Sequence, residues 1–184
     1  MSPPTIRTER LQLRAFARTD AADVFAYACN PNVARFTTWS PHRSVADSEA
    51  FLEMVLSAAA DDHTWAICLV DEVRVIGAIE LSLHDADTAE VHYVLAEPQW
   101  NRGLMSEAVR AVLAWALDQW PHVQRIMSRA VAENAASLRV MARCGLEFQG
   151  VCDAKWAKLE APVRQHEYAV SREVLRRRLS DPHR

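Results

Sequence analysis

Polar and apolar residues alternate near the start of the chain. In TERLQLRAF (8–16), Leu11 and Leu13 alternate with Arg10, Gln12 and Arg14, the period of a half-buried strand. TDAADVFAYACNPN (19–32) changes to a helical spacing, with Thr19 or Asp20 as N-cap and Asn30-Pro31 as the stop. A second helix starts at Ser44, where Ser44 and Asp47 are spaced as a capping box and Phe51, Met54 and Val55 supply its apolar face. TWAICLV (64–70) and VRVIGAIELSL (73–83) return to strand, joined by a turn at Asp71-Glu72, and AEVHYVL (89–95) is a third strand. The short first link makes this run antiparallel. Leu104, Ala108, Val112 and Trp115 then mark one face of a helix. VQRIMSRAV (123–131) is a strand, and NAASLRVMARC (134–144) is a helix stopped by Gly145. LEFQGVCDAKW (146–156) and VRQHEYAV (163–170) form a late hairpin. No repeat, low-complexity stretch or linker divides the pattern. It predicts one mixed α/β domain over 1–184, with a core over about 5–172 and a short C-terminal helix or tail.

Composition narrows the classes. The chain has 184 residues, half of them apolar, which suffices for a substantial core. Lys and Arg number 21 against 24 Asp and Glu, a net charge of −3. That balance argues against direct nucleic-acid binding, which needs a basic excess. Arg176, Arg177 and Arg178 read as a solvated helix face. The longest apolar run, AVLAWAL (111–117), is too short to span a bilayer, and MSPPTIRTER lacks the apolar core of a signal peptide, so a cytoplasmic protein with no membrane partner is expected. Cys29, Cys68, Cys144 and Cys152 form no CxxC pair and are expected to be reduced and mostly buried. No HExxH or comparable ligand spacing occurs, so no metal is expected.

The candidate chemistry centres on PQWNRGLMSEAV (98–109), which holds one of only four glycines. A strand, a loop with Pro98, Arg102-Gly103 and a helix follow one another. The first amides of that helix have no intrahelical partner and sit at the positive end of its dipole, which makes an anion site. Gly103 lets backbone approach a phosphate closely, Arg102 adds positive charge and Ser106 a hydroxyl. Neither GxxxxGK[ST] nor GxGxxG is present, which disfavours a P-loop or a dinucleotide fold. An ordinary loop glycine would leave the same local pattern, so this motif alone does not decide.

The order and spacing of TERLQLR, WSP (39–41), AEVHYVL, WNRGLMSEA (100–108) and ENAASLRVMARCGLEFQG (133–150) do more. Together they resemble the GNAT acyltransferases, and within them the Rim-type ribosomal-protein N-terminal (alanine/serine) acetyltransferases. The resemblance covers nearly the whole chain. It implies a twisted, mostly antiparallel sheet of six or seven strands flanked by helices, with splayed central strands and acetyl-CoA in the gap. Carried over by position, it implies that backbone amides of Arg102, Gly103, Leu104, Met105, Ser106 and Glu107 cradle the diphosphate of coenzyme A. Val94 and Leu95 would pair with the pantetheine arm like an added strand, one N–H there stabilising the oxyanion. Asn134 would hold the pantetheine or order the turn, and Ser137 would donate to the departing thiolate. Each has a plainer reading: Asn134 as a helix cap, Ser137 as a first-turn residue. A homodimer is also in keeping with the resemblance.

Four positions depart from the family's pattern, His92 among them. Met105 stands where many members carry a small residue, Met141 where many carry a tyrosine acid, and Trp156 near the place of a glutamate base. The amine must nevertheless lose a proton. An α-amine titrates at about 7.7–8.0 and is partly neutral already, whereas lysine, at about 10.4, needs roughly 4 kcal/mol of help. The candidate bases are Glu90 and His92, two apart on AEVHYVL and so on one face, with Glu80 on the preceding strand as a third. His92 replaces a residue that is commonly glycine in the family; a histidine merely packed on the sheet is its plainer reading. Trp39 and Trp156 are candidates for lining the acceptor cleft. Three readings follow: acetylation of a protein N-terminal α-amine, acetylation of a small amine such as a polyamine, amino acid derivative or antibiotic, or acyl-CoA sensing without turnover. An acidic cleft would suit a polyamine or a basic N-terminal tail, a tight apolar one a small molecule.

Overall fold

Leu11 and Leu13 are fully buried, and the alternation that carries them forms strand β2 (Leu11–Ala15) beside the two-residue edge strand β1 (Ile6–Arg7). The computed structural model describes residues 2–58 and 62–180. Helix α1 (Ala21–Ala28) has Asp20 at its N-cap position, but that carboxylate does not cap it. It turns back to accept the Ala17 N–H at 2.8 Å and is gripped by both terminal nitrogens of Arg14, each at 2.8 Å. Asn30-Pro31 ends α1 and also begins another helix, α2 (Pro31–Ala34), in which Asn30 Oδ1 accepts the Asn32 N–H at 2.9 Å. The capping box forms at α3 (Val45–Leu56), where Asp47 accepts the Ser44 N–H at 3.1 Å. The expected apolar face of α3 is corrected in one place. Ser48 and Leu52 are buried and Phe51 and Val55 pack partly, but Met54 is 63% exposed.

The central strands are β3 (His63–Leu69), β4 (Val75–Leu83) and β5 (Thr88–Leu95), an antiparallel meander. Helix α4 (Leu104–Gln119) leads to β6 (Arg125–Val131), which runs parallel to β5. Helix α5 (Ala135–Arg143) precedes the antiparallel pair β7 (Glu147–Ala154) and β8 (Val163–Ser171), and α6 (Arg172–Ser180) follows. The sheet order is β1-β2-β3-β4-β5-β6-β8-β7, eight strands because the short β1 adds to the expected set. Helices cover both faces of β3 and β4, so these strands are almost continuously buried rather than alternating. On one face Trp65, Ile67, Ile79, Leu81 and Val91 pack with Leu104, Val112 and Leu113 of α4. On the other, Ala66, Cys68 and Ala78 pack with Val24 and Tyr27 of α1 and Leu52 of α3.

Two features shape the gap in this sheet. The β5–β6 pairing covers only Thr88 to Glu90, opposite Arg125 to Met127, after which the strands part. The Ser128 hydroxyl takes the first carbonyl beyond the ladder, donating to Val91 O at 2.8 Å. Beside the gap, β4 and β5 approach unusually closely: a Cβ on Gly77 would lie 2.4 Å from Val94 O. Remote anchors hold the surrounding helices. The buried Arg172 donates to Trp120 O at 2.9 Å and Val123 O at 3.1 Å, and also to Leu117 O, closing the C-terminus of α4. The basic run on α6 is not simply solvated, since Arg178 bonds Gly145 O and the Glu147 carboxylate (2.7 Å) while Arg177 pairs with Glu173 at 2.6 Å.

Candidate active site

The loop before α4 bends through two left-handed residues, Asn101 (φ 59°) and Gly103 (φ 75°). The first closed turn of α4 is Glu107 N–H to Gly103 O at 3.1 Å. Leu104, Met105 and Ser106 therefore keep amides without a helical partner, at the positive end of a 16-residue helix. The run of open amides stops at Ser106 and does not reach Glu107, whose own N–H is used. The Glu107 side chain points to the start of β2, accepting from Thr8 Oγ1 at 2.5 Å and the Arg10 N–H at 2.9 Å, with the Arg10 guanidinium at 2.6 Å. Burial raises its pKa, but these donors outweigh burial and hold it below the ordinary glutamate range. The same bracing bonds Arg10 to the Arg102 carbonyl at 2.9 Å, while the Arg102 side chain turns to Gln99. Met105 does not swell the loop; its side chain is buried in the core below it.

A cavity of ≈ 430 Å³ opens at this helix end. Gly103, Leu104, Met105, Ser106, Val94, Leu95, Asn134 and Ser137 all line it; Arg102 and Glu107 do not. Arg139 and Arg143, one turn apart on α5, line it as well. Along β5 the backbone groups alternate in direction. Ala96 N–H bonds Ile76 O of β4 at 2.8 Å and Val94 O abuts Gly77, so the Val94 main chain is turned to β4. Val91 O takes the Ser128 hydroxyl and Leu95 O takes the Trp100 indole N–H at 2.7 Å, so Val91, Tyr93 and Leu95 face the gap. Of the expected pair, Leu95 presents its amide to the gap, whereas Val94 contributes its side chain. An anionic diphosphate fits the helix end, with open amides, the dipole and two arginines, and an extended polar arm fits the unpaired edge of β5.

A second cavity of ≈ 760 Å³ lies on the other side of β5. Both cavities are lined by Phe36, Thr37, Tyr93, Val94, Asn134 and Ser137, which form their junction. Asn134 caps α5, its Oδ1 accepting the Ser137 N–H at 3.2 Å. The Ser137 hydroxyl lies 2.9 Å from the Tyr93 hydroxyl, which is also within 3.2 Å of Ser137 O. Met141 is buried in the core.

Glu80, Glu90 and His92 line the second cavity together, as do Trp39 and Trp156. Their surroundings differ. Glu90 is buried and lies 3.3 Å from Arg129 Nη1 and 3.7 Å from both His84 and His92. Arg129 in turn pairs with Glu167 at 3.1 Å. Glu80 sits opposite His92 across the β4–β5 ladder and has no ion pair among the described residues. The His92 side chain is 49% exposed. Val24, Ala28, Phe36, Phe51, Met54 and Ala78 complete a largely apolar wall. His42 also lines it, with Nδ1 2.8 Å from Ser48 Oγ; burial pulls its pKa below the usual histidine value although Asp47 opposes this. Lys158 ties the two tryptophan segments together. Its Nζ donates to Ala34 O at 2.7 Å and Trp39 O at 3.1 Å and lies 5.3 Å from the centre of the Trp156 ring.

Sequence reasoning missed several of these residues. Arg139 and Arg143 were findable, since they are four apart on a helix with an Asn cap. Tyr93 and Lys158 carry no local signal, because their partners lie far away in the chain, and His42 has its partner Ser48 only six residues on but in no recognisable motif. Cys68 and Cys144 are buried, Cys29 and Cys152 only partly, and none of the four lines either cavity. Burial pushes the Cys144 thiol up to about 11.

Comparison with known proteins agrees with this geometry. The sequence profile of the acetyltransferase (GNAT) domain matches residues 10–147. The N-acetyltransferase p20 of Bacillus licheniformis, itself uncharacterized, is 25% identical over 151 residues, covering 80% of this chain and 84% of that protein. Among solved structures, a GNAT acetyltransferase from Bacillus anthracis superposes with a TM-score of 0.82 at 24% identity, covering 92% of this chain and 99% of that one. Two Vibrio cholerae structures share the fold at lower identity. One, described as a ribosomal-protein-serine acetyltransferase, has a TM-score of 0.78 at 18% identity, covering 93% and 99% of the two chains. The other, a spermidine N-acetyltransferase in complex with CoA and spermine, has a TM-score of 0.76 at 15% identity, covering 91% and 99%. The chain belongs to the GNAT acetyltransferases, enzymes that use acetyl-CoA to acetylate an amine.

Proposed function

We propose that the acceptor is a small molecule with an apolar body and a primary amine of α-amino basicity. The observation that carries this reading is the lining of the second cavity. Trp39, Phe51, Met54 and Trp156 give it apolar walls, and Glu80 is the carboxylate of that lining left without an ion pair among the described residues. A polyamine or a basic N-terminal tail would call for several free carboxylates. A protein N-terminus of ribosomal type remains the second reading, supported by the Rim-type motifs and by the Vibrio cholerae neighbour described in those terms. Both acceptors present an amine that needs little help to deprotonate.

Acetyl-CoA supplies an acetyl group activated as a thioester. The open amides of Leu104, Met105 and Ser106 would hold its diphosphate, and Arg139 and Arg143 would neutralise its phosphates. The Leu95 amide, and the Tyr93 amide beside it, would bind the arm and the acetyl oxygen. Ser137, at the junction, would give its hydrogen bond to the sulfur. On the acceptor side, Glu80 would hold the ammonium and His92 would take its proton. Glu90, committed to Arg129 and two histidines, would hold His92 in place rather than act as the base. The sensing role considered from sequence gives way to an enzyme.

The test compares kcat/KM for phenylalaninamide, a serine-ended peptide and spermidine. Phenylalaninamide should lead by about tenfold or more, and Trp39→Ala should erase that lead, since a buried aromatic contact contributes 1 kcal/mol or more, about fivefold or greater. A lead for the peptide that survives Trp39→Ala would install the second reading.

A further inference from the structure

We propose that Tyr93 is a positioning residue for acetyl transfer, fixing the Ser137 hydroxyl so that its proton points out of the protein toward the sulfur of CoA. The inference rests on the reading that places that sulfur beside Ser137.

The geometry is local. The Tyr93 hydroxyl carries one proton and has two acceptors in reach, Ser137 Oγ at 2.9 Å and Ser137 O at 3.2 Å. Oγ is the nearer. A phenol that donates to Oγ occupies that side of the serine, leaving the serine proton to turn toward the junction of the two cavities. The backbone of Ser137 is pinned from the other side, because Asn134 Oδ1 accepts its N–H at 3.2 Å. Without Tyr93 the hydroxyl would be a free rotor, and a hydrogen bond to sulfur would have to restrict it first.

Tyr93 serves as a donor and not as an acid. Burial raises its pKa well above the ordinary phenol value, although Ser137 opposes this, so it stays protonated at working pH. No proton leaves Tyr93 in the step. As the carbon–sulfur bond breaks, its electron pair stays on sulfur, where Ser137 Oγ–H meets it; the proton given up by the amine goes to the acceptor-side base. Of the other titratable groups, the neutral Cys144 thiol neighbours Tyr93, Arg35, Arg139 and Arg143 line the first cavity, and Glu80, Glu90, His92 and Arg129 line the second from the sheet. Met141 takes no part, since it is buried and has no proton to give.

The test reads the ionisation of CoA on the enzyme, through the carbon-13 shift of the methylene bonded to sulfur as pH is raised. The bound thiol should titrate below free CoA. Tyr93→Phe should raise its pKa by about one unit, Ser137→Ala by at least as much, and the double variant no further than Ser137→Ala alone. Affinity for desulfo-CoA, which lacks the sulfur, should be the same in Tyr93→Phe as in the wild type. A pKa unmoved by Tyr93→Phe but raised by Ser137→Ala would overturn the role of Tyr93 and leave the site reading standing. Shifts that add in the double variant, or a matching loss of desulfo-CoA affinity, would overturn it in favour of packing. A pKa moved by neither variant would remove the sulfur from Ser137 and the proposal with it.

Discussion

Glu80 and Glu90 carry the same side chain into the same cavity and are set apart by their neighbours. Glu90 pairs with Arg129 and lies 3.7 Å from two histidines, whereas Glu80 pairs with no cation among the described residues. Glu80→Gln should therefore cut kcat/KM for the amine about tenfold with little change in stability. Glu90→Gln should destabilise the fold by about 1–2 kcal/mol, because Arg129 loses one of two partners in a buried setting. Steady-state kinetics and urea denaturation of the two variants check this, and the opposite assignment of effects would refute it. The alternation of AEVHYVL made the shared face of Glu90 and His92 legible. It could not reveal Arg129, 39 residues away in sequence. Glu107 gives a second residue-level prediction. Its pKa is held below the unfolded value, so its contribution is present above about pH 4.5 and is lost as pH falls through the depressed folded value. The stability gap between wild type and Glu107→Gln should be about 1 kcal/mol at pH 7, modest because Arg10 is half exposed, and should close in acid, once pH has fallen through that depressed value. An equal gap at both pH values would remove the ion pair as its cause.

At the scale of elements, period carried most of the information. Alternation located strands such as β2 and β5, unbroken apolar runs located β3 and β4, and helical spacing located the longer helices. Caps located their ends where side chain and backbone lie within four residues, as at Ser44–Asp47 and Asn134–Ser137. Asp20 defeated this logic because Arg14, from a neighbouring strand, competes for the same carboxylate. Met54 defeated it because the face of α3 that includes it borders a cavity and not the core. Gly77 was legible only as a glycine in a strand; its reason is the approach of Val94 O. Gly77→Ala would push the end of β5 away from β4 and into the gap. It should lower stability by about 2 kcal/mol and weaken CoA binding at least tenfold. Calorimetric titration with CoA measures the second effect, and unchanged affinity would show that the gap does not depend on this contact.

The whole molecule brings two cavities to one junction, and no single segment of sequence encodes that. The helix end at Gly103 was legible because its parts are contiguous. The second cavity was not, because its wall comes from α1, the loop around Trp39, α3, the floor of the sheet and Trp156. Lys158 holds two of these parts together across more than a hundred residues of sequence. Lys158→Ala should release the Trp39 and Trp156 segments, raising KM for the amine severalfold while leaving KM for acetyl-CoA unchanged. Equal changes in both would mean that the strap supports the whole site. The most direct test of the central claim is the release of free thiol from acetyl-CoA, with phenylalaninamide compared against its N-blocked form. The account predicts saturable, stoichiometric thiol release with the free amine and only background release with the blocked one. Equal release with both would mean that no amine is acetylated there, and would contradict the assignment of the second cavity as its binding site.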